Sequence, residues 1–152
     1  MTADDGRGRV AVPSSSQVQE PVLAQGAIFE IRQSGELAWC EVVNREDVSA
    51  EEGARCANLM HEVLTLRVLS AHSLYRGLLF DVRRGPPAFG PKTRAALERI
   101  FAHAPGSQRR IAVLVGGSAT QRMQFGNLCL EHAPVHARVF LIESAAREWL
   151  KE

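Results

Sequence analysis

Residues 78–97 read LLFDVRRGPPAFGPKTRAAL, and this stretch decides the class of fold. Its first five residues form an apolar run that one acid, Asp81, interrupts, which is typical of a central strand buried on both faces. Pro86 and Pro87 end the strand, because a proline cannot donate a hydrogen bond to a neighbouring strand. Pro91 suits the first position of a helix. The stretch therefore predicts a strand that leads through a short loop into a helix.

The same alternation of strands and helices continues towards the carboxyl terminus. Apolar runs of about five residues predict further buried strands, and serine residues before helical patterns predict their starts. The predicted elements are a helix from Pro91 that stops at Pro105-Gly106, a strand at 111–115, a helix to about His132 opened by Ser118 and Gln121, a strand at 138–142 and a terminal helix capped by Ser144.

The amino-terminal half predicts a hairpin followed by a helix. Residues 27–43 alternate with a period near two on both sides of a turn at 33–36, which is typical of a β-hairpin. Ser49 and Glu52 form a capping box for a helix that runs to about Leu66. The fold class predicted is α/β: a mixed, mostly parallel sheet of about five strands with an N-terminal antiparallel hairpin, packed by about four helices.

Composition predicts one globular domain behind a tail. Residues 1–22 are polar and contain a run of three serines, so we expect a disordered tail and a domain over residues 25–152. No apolar run approaches the roughly 18 residues of a membrane span. The amino terminus also lacks the apolar segment of a secretory signal. We therefore expect a cytoplasmic protein.

Several classes of function find no support in the sequence. The net charge of +1 gives no general attraction to nucleic acid. Cys40, Cys56 and Cys129 lie far apart and predict buried, reduced side chains rather than a zinc or redox motif. No metal-binding histidine spacing and no nucleotide fingerprint occurs, so no metal or cofactor is predicted. Cys129 and His132 share a helix face, but nothing nearby resembles an oxyanion hole, and no enzyme is predicted.

The order of elements resembles the STAS group, the sulfate-transporter and anti-sigma-factor-antagonist domain. The sequence is also similar to the SpoIIAA-like proteins, whose fold is grouped with the CRAL-TRIO lipid-binding domains. The resemblance covers about residues 25–152 and implies a non-enzymatic regulatory or protein-interaction module. It is carried by LLFDVRRGPPAFG at 78–90, RRIAVLVGGSATQRMQF at 109–125 and ARVFLIESAAREWL at 137–150.

The loop after the strand that contains Asp81 is the predicted partner-binding corner. In phospho-regulated members of the resembled group, the acid is followed by a phosphorylatable hydroxyl at a helix start. Here Arg83 and Arg84 follow, and the next hydroxyl is that of Thr93, so the sequence departs from the phospho-switch pattern. The two arginines can bind a carboxylate or phosphate, or pair with Asp81. Phe89 is either an exposed anchor or a cover for the core.

A second candidate site is the turn GGSAT at residues 116–120. Gly116, Gly117 and Ser118 precede a helix, where backbone N–H groups can bind an anion, and Arg122 lies close enough to assist. Ser118 can equally serve only as the helix cap. Phosphorylation of Ser118, Thr120 or Thr93 stays open.

The alternative function is a domain that binds a lipid or another small apolar ligand. It requires a cavity between the helices and the sheet, and the large apolar side chains that can line one can also fill a core. Homodimerisation through the open edge of the hairpin is a further alternative. The apolar residues in question are Phe80, Phe101, Met123, Phe125 and Trp149.

Overall fold

One six-stranded sheet organises residues 21–152, the part of the chain that this computed structural model describes. The strands lie in the sheet in their order along the chain. The first three pair antiparallel and the third to sixth pair parallel, which confirms the predicted α/β class and its N-terminal antiparallel hairpin. The strands are β1 (Val22–Gln25), β2 (Phe29–Ser34), β3 (Leu37–Val43), β4 (Gly77–Arg84), β5 (Arg110–Leu114) and β6 (Ala137–Phe140).

Four α-helices accompany the strands of this described region. Three of them cross over between consecutive parallel strands, and the fourth follows the last strand. A π-helical turn, Leu64–Val68, continues the first helix past its predicted end near Leu66. The helices are α1 (Ala50–Val63), α2 (Pro91–Ser107), α3 (Ala119–His132) and α4 (Glu143–Lys151).

The domain begins slightly earlier than the sequence predicts. β1 starts at Val22, whereas the predicted domain starts at residue 25 and the predicted tail covers residues 1–22. β1 pairs with β2 and is the sixth strand of a sheet predicted to have about five. Residues 1–20, which make up nearly all of the predicted tail, lie outside the described residues.

β4 is the central strand, and its two faces contact different layers. Gly77–Val82 of β4 is buried throughout, which includes the whole run predicted to be buried, residues 78–82. Phe80 belongs to the larger core, to which α1, α2 and α3 contribute, whereas Leu79 packs under α4 on the opposite face. Alternate side chains of a strand point to opposite faces, so neighbouring residues of β4 contribute to separate cores.

The end of α2 differs from the prediction. Pro105 and Gly106 do not stop the helix, which continues to Ser107 and ends where Gln108 adopts a left-handed conformation with φ of 58°. The Ser107 hydroxyl donates a hydrogen bond to the Ala104 carbonyl at 2.9 Å and accepts one from a following backbone N–H. These bonds stabilise the last turn although Pro105 cannot donate from its backbone.

The start of α4 also corrects the prediction. The helix begins at Glu143 rather than after Ser144, and no side chain caps it. An acid in the first turn interacts favourably with the helix dipole, which replaces the expected serine cap. β6 ends at Phe140, earlier than predicted, and leaves Leu141 and Ile142 exposed.

The cysteine prediction is confirmed, since Cys40, Cys56 and Cys129 are all buried and free. The predicted caps of two helices are also present. Ser49 accepts a hydrogen bond from the N–H of the third residue after it, and Ser118 does the same for α3. Within residues 21–152, no helix combines the length and the apolar character needed to cross a membrane.

Two glycine substitutions should have opposite effects on stability. A Cβ added at Gly77 would lie 2.9 Å from the Arg110 carbonyl oxygen and 3.1 Å from a methyl group of Leu150. We expect Gly77→Ala to lower the free energy of unfolding by about 1–3 kcal/mol through this overlap. Gly53, inside α1, has open space around the same position, and Gly53→Ala should raise it by about 0.5–1 kcal/mol. Urea denaturation of both variants tests this, and equal effects would contradict it.

Candidate functional site

The predicted partner-binding residues divide between the two faces of the sheet. Asp81 follows Leu79 by two residues along β4 and therefore lies on the α4 face. Phe89 and Thr93 line a cleft on the opposite side, under α1 and α2. The residues that the sequence grouped in one corner therefore form two separate environments.

On the α4 face, Asp81 and Arg83 form a two-point ion pair. The Arg83 Nε and Nη2 atoms donate to the two carboxylate oxygens of Asp81 at 3.0 and 2.7 Å, and the Arg83 backbone N–H donates at 3.1 Å. Nη2 also donates to Glu143 at 3.3 Å, at the start of α4. Burial alone would raise the pKa of the Asp81 carboxyl, but the hydrogen bonds from Arg83 outweigh burial and hold that pKa below its ordinary value.

Arg84 also has an intramolecular partner, because its Nη1 atom donates to Glu41 at 3.2 Å while the rest of the side chain is exposed. Both arginines of the predicted corner are therefore paired within the chain. A docking partner would have to compete with these carboxylates for the guanidinium groups.

On the face of the sheet that α1, α2 and α3 cover, a cleft of about 680 Å³ opens between α1 and the start of α2. It lies beyond the carboxyl ends of β3 and β4, and the loop 86–90 forms one wall. The lining is mostly apolar, and its deepest residues are almost completely buried. Prominent lining residues are Ala57, Met60, Phe80, Val82, Phe89 and Phe125.

Phe89 connects the loop wall to the floor of the cleft. Its ring packs edge-on against Phe125 with 5.2 Å between centroids, and Phe125 in turn packs against Phe80 at 5.9 Å. Phe89 is partly buried and packs against the larger core. The sequence predicts Phe89 to be either an exposed anchor for a partner or a cover for the core. In the structure its side chain covers the core and is not fully exposed.

Side chains of α3 hold the loop wall in position. The buried Gln121 amide donates to the carbonyl oxygens of Val82 and Pro86 at 2.8 and 3.0 Å. Gln124 both accepts from the N–H of Phe89 and donates to its carbonyl oxygen. The wall is therefore anchored to a helix rather than supported only by its own backbone.

The predicted anion site at residues 116–118 is part of the same anchorage. The Gly116 N–H donates to the Gln121 side-chain oxygen at 3.0 Å. The Ser118 hydroxyl caps α3 and donates to the Pro87 carbonyl oxygen at 2.9 Å. Gly117 and Arg122 are exposed. Anion binding here stays a prediction, and two of its proposed ligand groups already have partners inside the chain.

The apolar residues proposed from the sequence do not all line the cleft. Phe80 and Phe125 do, but Phe101 is fully buried in the core, Met123 is exposed, and Trp149 packs beside Phe140 on the α4 face. The sequence reasoning missed the contribution of α1. Gly53 and Ala57 are small residues four apart on one helix face, and this spacing is the signal that a gap lies beside α1.

One further group of side chains could hold a metal ion. Ligand atoms of Glu98, Glu131 and His132 lie within 4.8 Å of one another, and the Nε2 atom of His132 is buried without a hydrogen-bond partner. Arg94 already donates to both carboxylates, at 3.1 and 3.3 Å. The guanidinium offsets one of the two negative charges and already binds one oxygen of each carboxylate, so the group needs no metal to explain it.

No protein-family model matches this chain, and no curated protein and no solved structure matches it either. The resemblance to the STAS group therefore stays a prediction, and the geometry of the cleft carries the functional argument.

Loss of the Gln121 amide should loosen the loop wall. Gln121→Leu keeps the volume of the side chain but removes the amide donor from the carbonyls of Val82 and Pro86. The Val82 carbonyl keeps a backbone hydrogen bond from the loop, whereas the Pro86 carbonyl loses its donor. We expect the free energy of unfolding to fall by about 1–3 kcal/mol. Amide hydrogen exchange in the loop 85–90 should accelerate at its non-proline residues, which carry a backbone N–H. Arg122→Leu, at the exposed next position, serves as control and should change neither. Unchanged exchange in Gln121→Leu would contradict the anchoring role.

Asp81 should contribute stability that disappears in acid. Its pKa is lower in the folded chain, so its contribution is complete above the unfolded pKa of about 3.9 and is lost as pH falls through the folded value. Asp81→Asn should lower the free energy of unfolding near neutral pH by about 1–2 kcal/mol, because partly exposed Arg83 is screened by solvent. The difference from the parent should narrow below about pH 4. Asp47→Asn, in an exposed pair, should have little effect in urea titrations at either pH.

Proposed function

We propose that this domain binds a small apolar molecule in the cleft between α1 and α2. The observation that carries the proposal is the cleft itself, a preformed opening of about 680 Å³ with an aromatic floor. Ligand pockets in proteins generally measure about 300–1,000 Å³ and are lined by apolar and aromatic side chains. The size and lining of the cleft both fit that description.

The contrast between the cleft and the packed core of the domain supports ligand binding. Protein interiors are close-packed, and voids larger than a water molecule are few. The residues behind the cleft follow this rule, since Phe101, Ile100 and Leu128 are fully buried. The gap beside Gly53 and Ala57 thus contrasts with a dense core, and a bound apolar molecule would gain contacts on several sides.

Binding suits the described lining better than catalysis does. Among the described residues that line the cleft, none is a cysteine or a histidine. Elsewhere, burial raises the pKa of the Cys129 thiol to about 12, which keeps it protonated and a poor nucleophile. Burial, followed by the charges of Asp81 and Glu41, likewise raises the pKa of Cys40. We therefore propose a binding module without an activity of its own.

Docking of a protein partner through the loop after β4 stays a prediction. Arg83 and Arg84 are paired with Asp81, Glu143 and Glu41, so this loop presents no free guanidinium group. Ligand binding has stronger support than partner docking, because a molecule can enter the cleft without breaking a hydrogen bond or an ion pair inside the chain.

Filling the cleft with a side chain tests the proposal. Gly53 lines the cleft and has no atom within 4 Å of an added Cβ, so Gly53→Phe should occupy the space without displacing core residues. N-phenyl-1-naphthylamine, a neutral fluorescent probe, should bind the parent chain with enhanced emission. The variant should weaken this binding at least about tenfold while its thermal unfolding temperature stays the same or rises.

The matched control is Gly126→Phe in α3, where an added Cβ also meets no atom within 4 Å and which does not line the cleft. Gly126→Phe should bind the probe with the same affinity as the parent chain. Equal binding by parent and Gly53→Phe, or no binding by the parent, would refute the proposal.

A further inference from the structure

One basic residue that lines the cleft has no carboxylate partner among the described residues. Three charged residues line the cleft: Arg45, Glu51 and Lys92. Arg45 is bound to Asp47 through both Nε and Nη2, and its Nη1 donates to a backbone carbonyl. Glu51 lies 3.9 Å from an arginine one turn along α1.

Lys92 differs from the other two, because within residues 21–152 its ammonium group forms no ion pair and no hydrogen bond, and its side chain is exposed. It stands in the first turn of α2, next to Thr93, whose side chain also lines the cleft. The deeper lining is formed by Phe80, Val82 and Phe125, which are apolar and nearly fully buried. The lining of the cleft is therefore amphipathic, with an apolar floor and one exposed, unpaired lysine among its charged residues.

We infer that the ligand is an amphiphile whose apolar body occupies the aromatic floor and whose single anionic end group binds Lys92. This inference rests on the proposed function and adds the charge of the ligand to it. A carboxylate or a phosphate can accept hydrogen bonds from the ammonium group, and charge-assisted bonds are about twice as strong as neutral ones. The Thr93 hydroxyl offers a further donor beside Lys92.

The same residues disfavour a ligand whose end group is positively charged. A cationic end group at this mouth would meet Lys92, and the guanidinium of Arg45 is also close to the rim. Glu51, the acid among the lining residues, is exposed and already lies near Arg55. A neutral end group would be neither attracted nor repelled. Among ligands with the same apolar chain, we therefore expect affinity to fall from anionic to neutral to cationic end groups.

A series with one apolar chain and different end groups tests the inference. Decanoate, decyl phosphate, decanol and decylamine are each titrated at low ionic strength against the bound N-phenyl-1-naphthylamine probe, below their micelle concentrations. We expect at least one anionic member to displace the probe about tenfold more effectively than decanol, and decylamine to be weakest. Comparison of decanoate with decyl phosphate identifies which anionic group the mouth accepts.

Charge reversal assigns the effect to Lys92. Lys92→Glu should remove the preference for the anionic member and make decylamine bind better than decanoate. Lys151→Glu makes the same charge change at the exposed end of α4, outside the cleft, and should leave the ranking of the parent intact. Lys92 is exposed, so its replacement should not affect folding, and circular dichroism of both variants checks this.

Failure of the inference and failure of the proposed function give different results. If all four compounds displace the probe equally, or if Lys92→Glu keeps the anionic preference, the inference is wrong while ligand binding stands. If the probe does not bind the parent chain at all, the proposed function fails and the inference fails with it.

Discussion

Burial of β4 on both faces is the constraint on which the rest of the structure depends. Side chains alternate along a strand, so each residue of β4 is committed to one of two layers. Phe80 and Val82 point into the layer of α1, α2 and α3, where they form the floor of the cleft. Asp81 enters the α4 layer, where a buried carboxylate must be paired, and Arg83 supplies the hydrogen bonds. One strand thereby separates an ion-pair network from an apolar opening.

The cleft exists because small side chains and anchored backbone meet at one end of the sheet. Gly53 and Ala57 keep α1 from filling the gap, while Gln121 and Gln124 fix the loop on the other side. The loop that forms one wall of the opening is therefore held by specific hydrogen bonds as well as by the packing of Phe89.

Much of the fold could be predicted from the sequence, but of the candidate site only some lining residues could, Phe80 and Phe125 among them. Hydrophobic periodicity and serine caps predicted the helices and every strand of the described region except β1, because these signals are local, although the cap expected at Ser144 is absent. The alternation of β4 could also have placed Asp81 and Phe80 on opposite faces of the sheet. The cleft depends on the distance between α1 and α2, to which the small pair Gly53 and Ala57 is the one local signal. Similarly, Pro105 failed to end α2 because the Ser107 hydroxyl satisfied the last turn, a contact visible only in three dimensions.

The hydrogen bonds that anchor the loop wall all end on backbone atoms of the loop, at Pro86, Pro87 and Phe89. A main-chain carbonyl is the same whichever side chain its residue carries. The wall can therefore exchange its side chains over evolutionary time without losing its position. A domain built in this way can alter what fits against the floor of the cleft while the helices and the sheet stay unchanged, so the loop is a natural place for specificity to diverge.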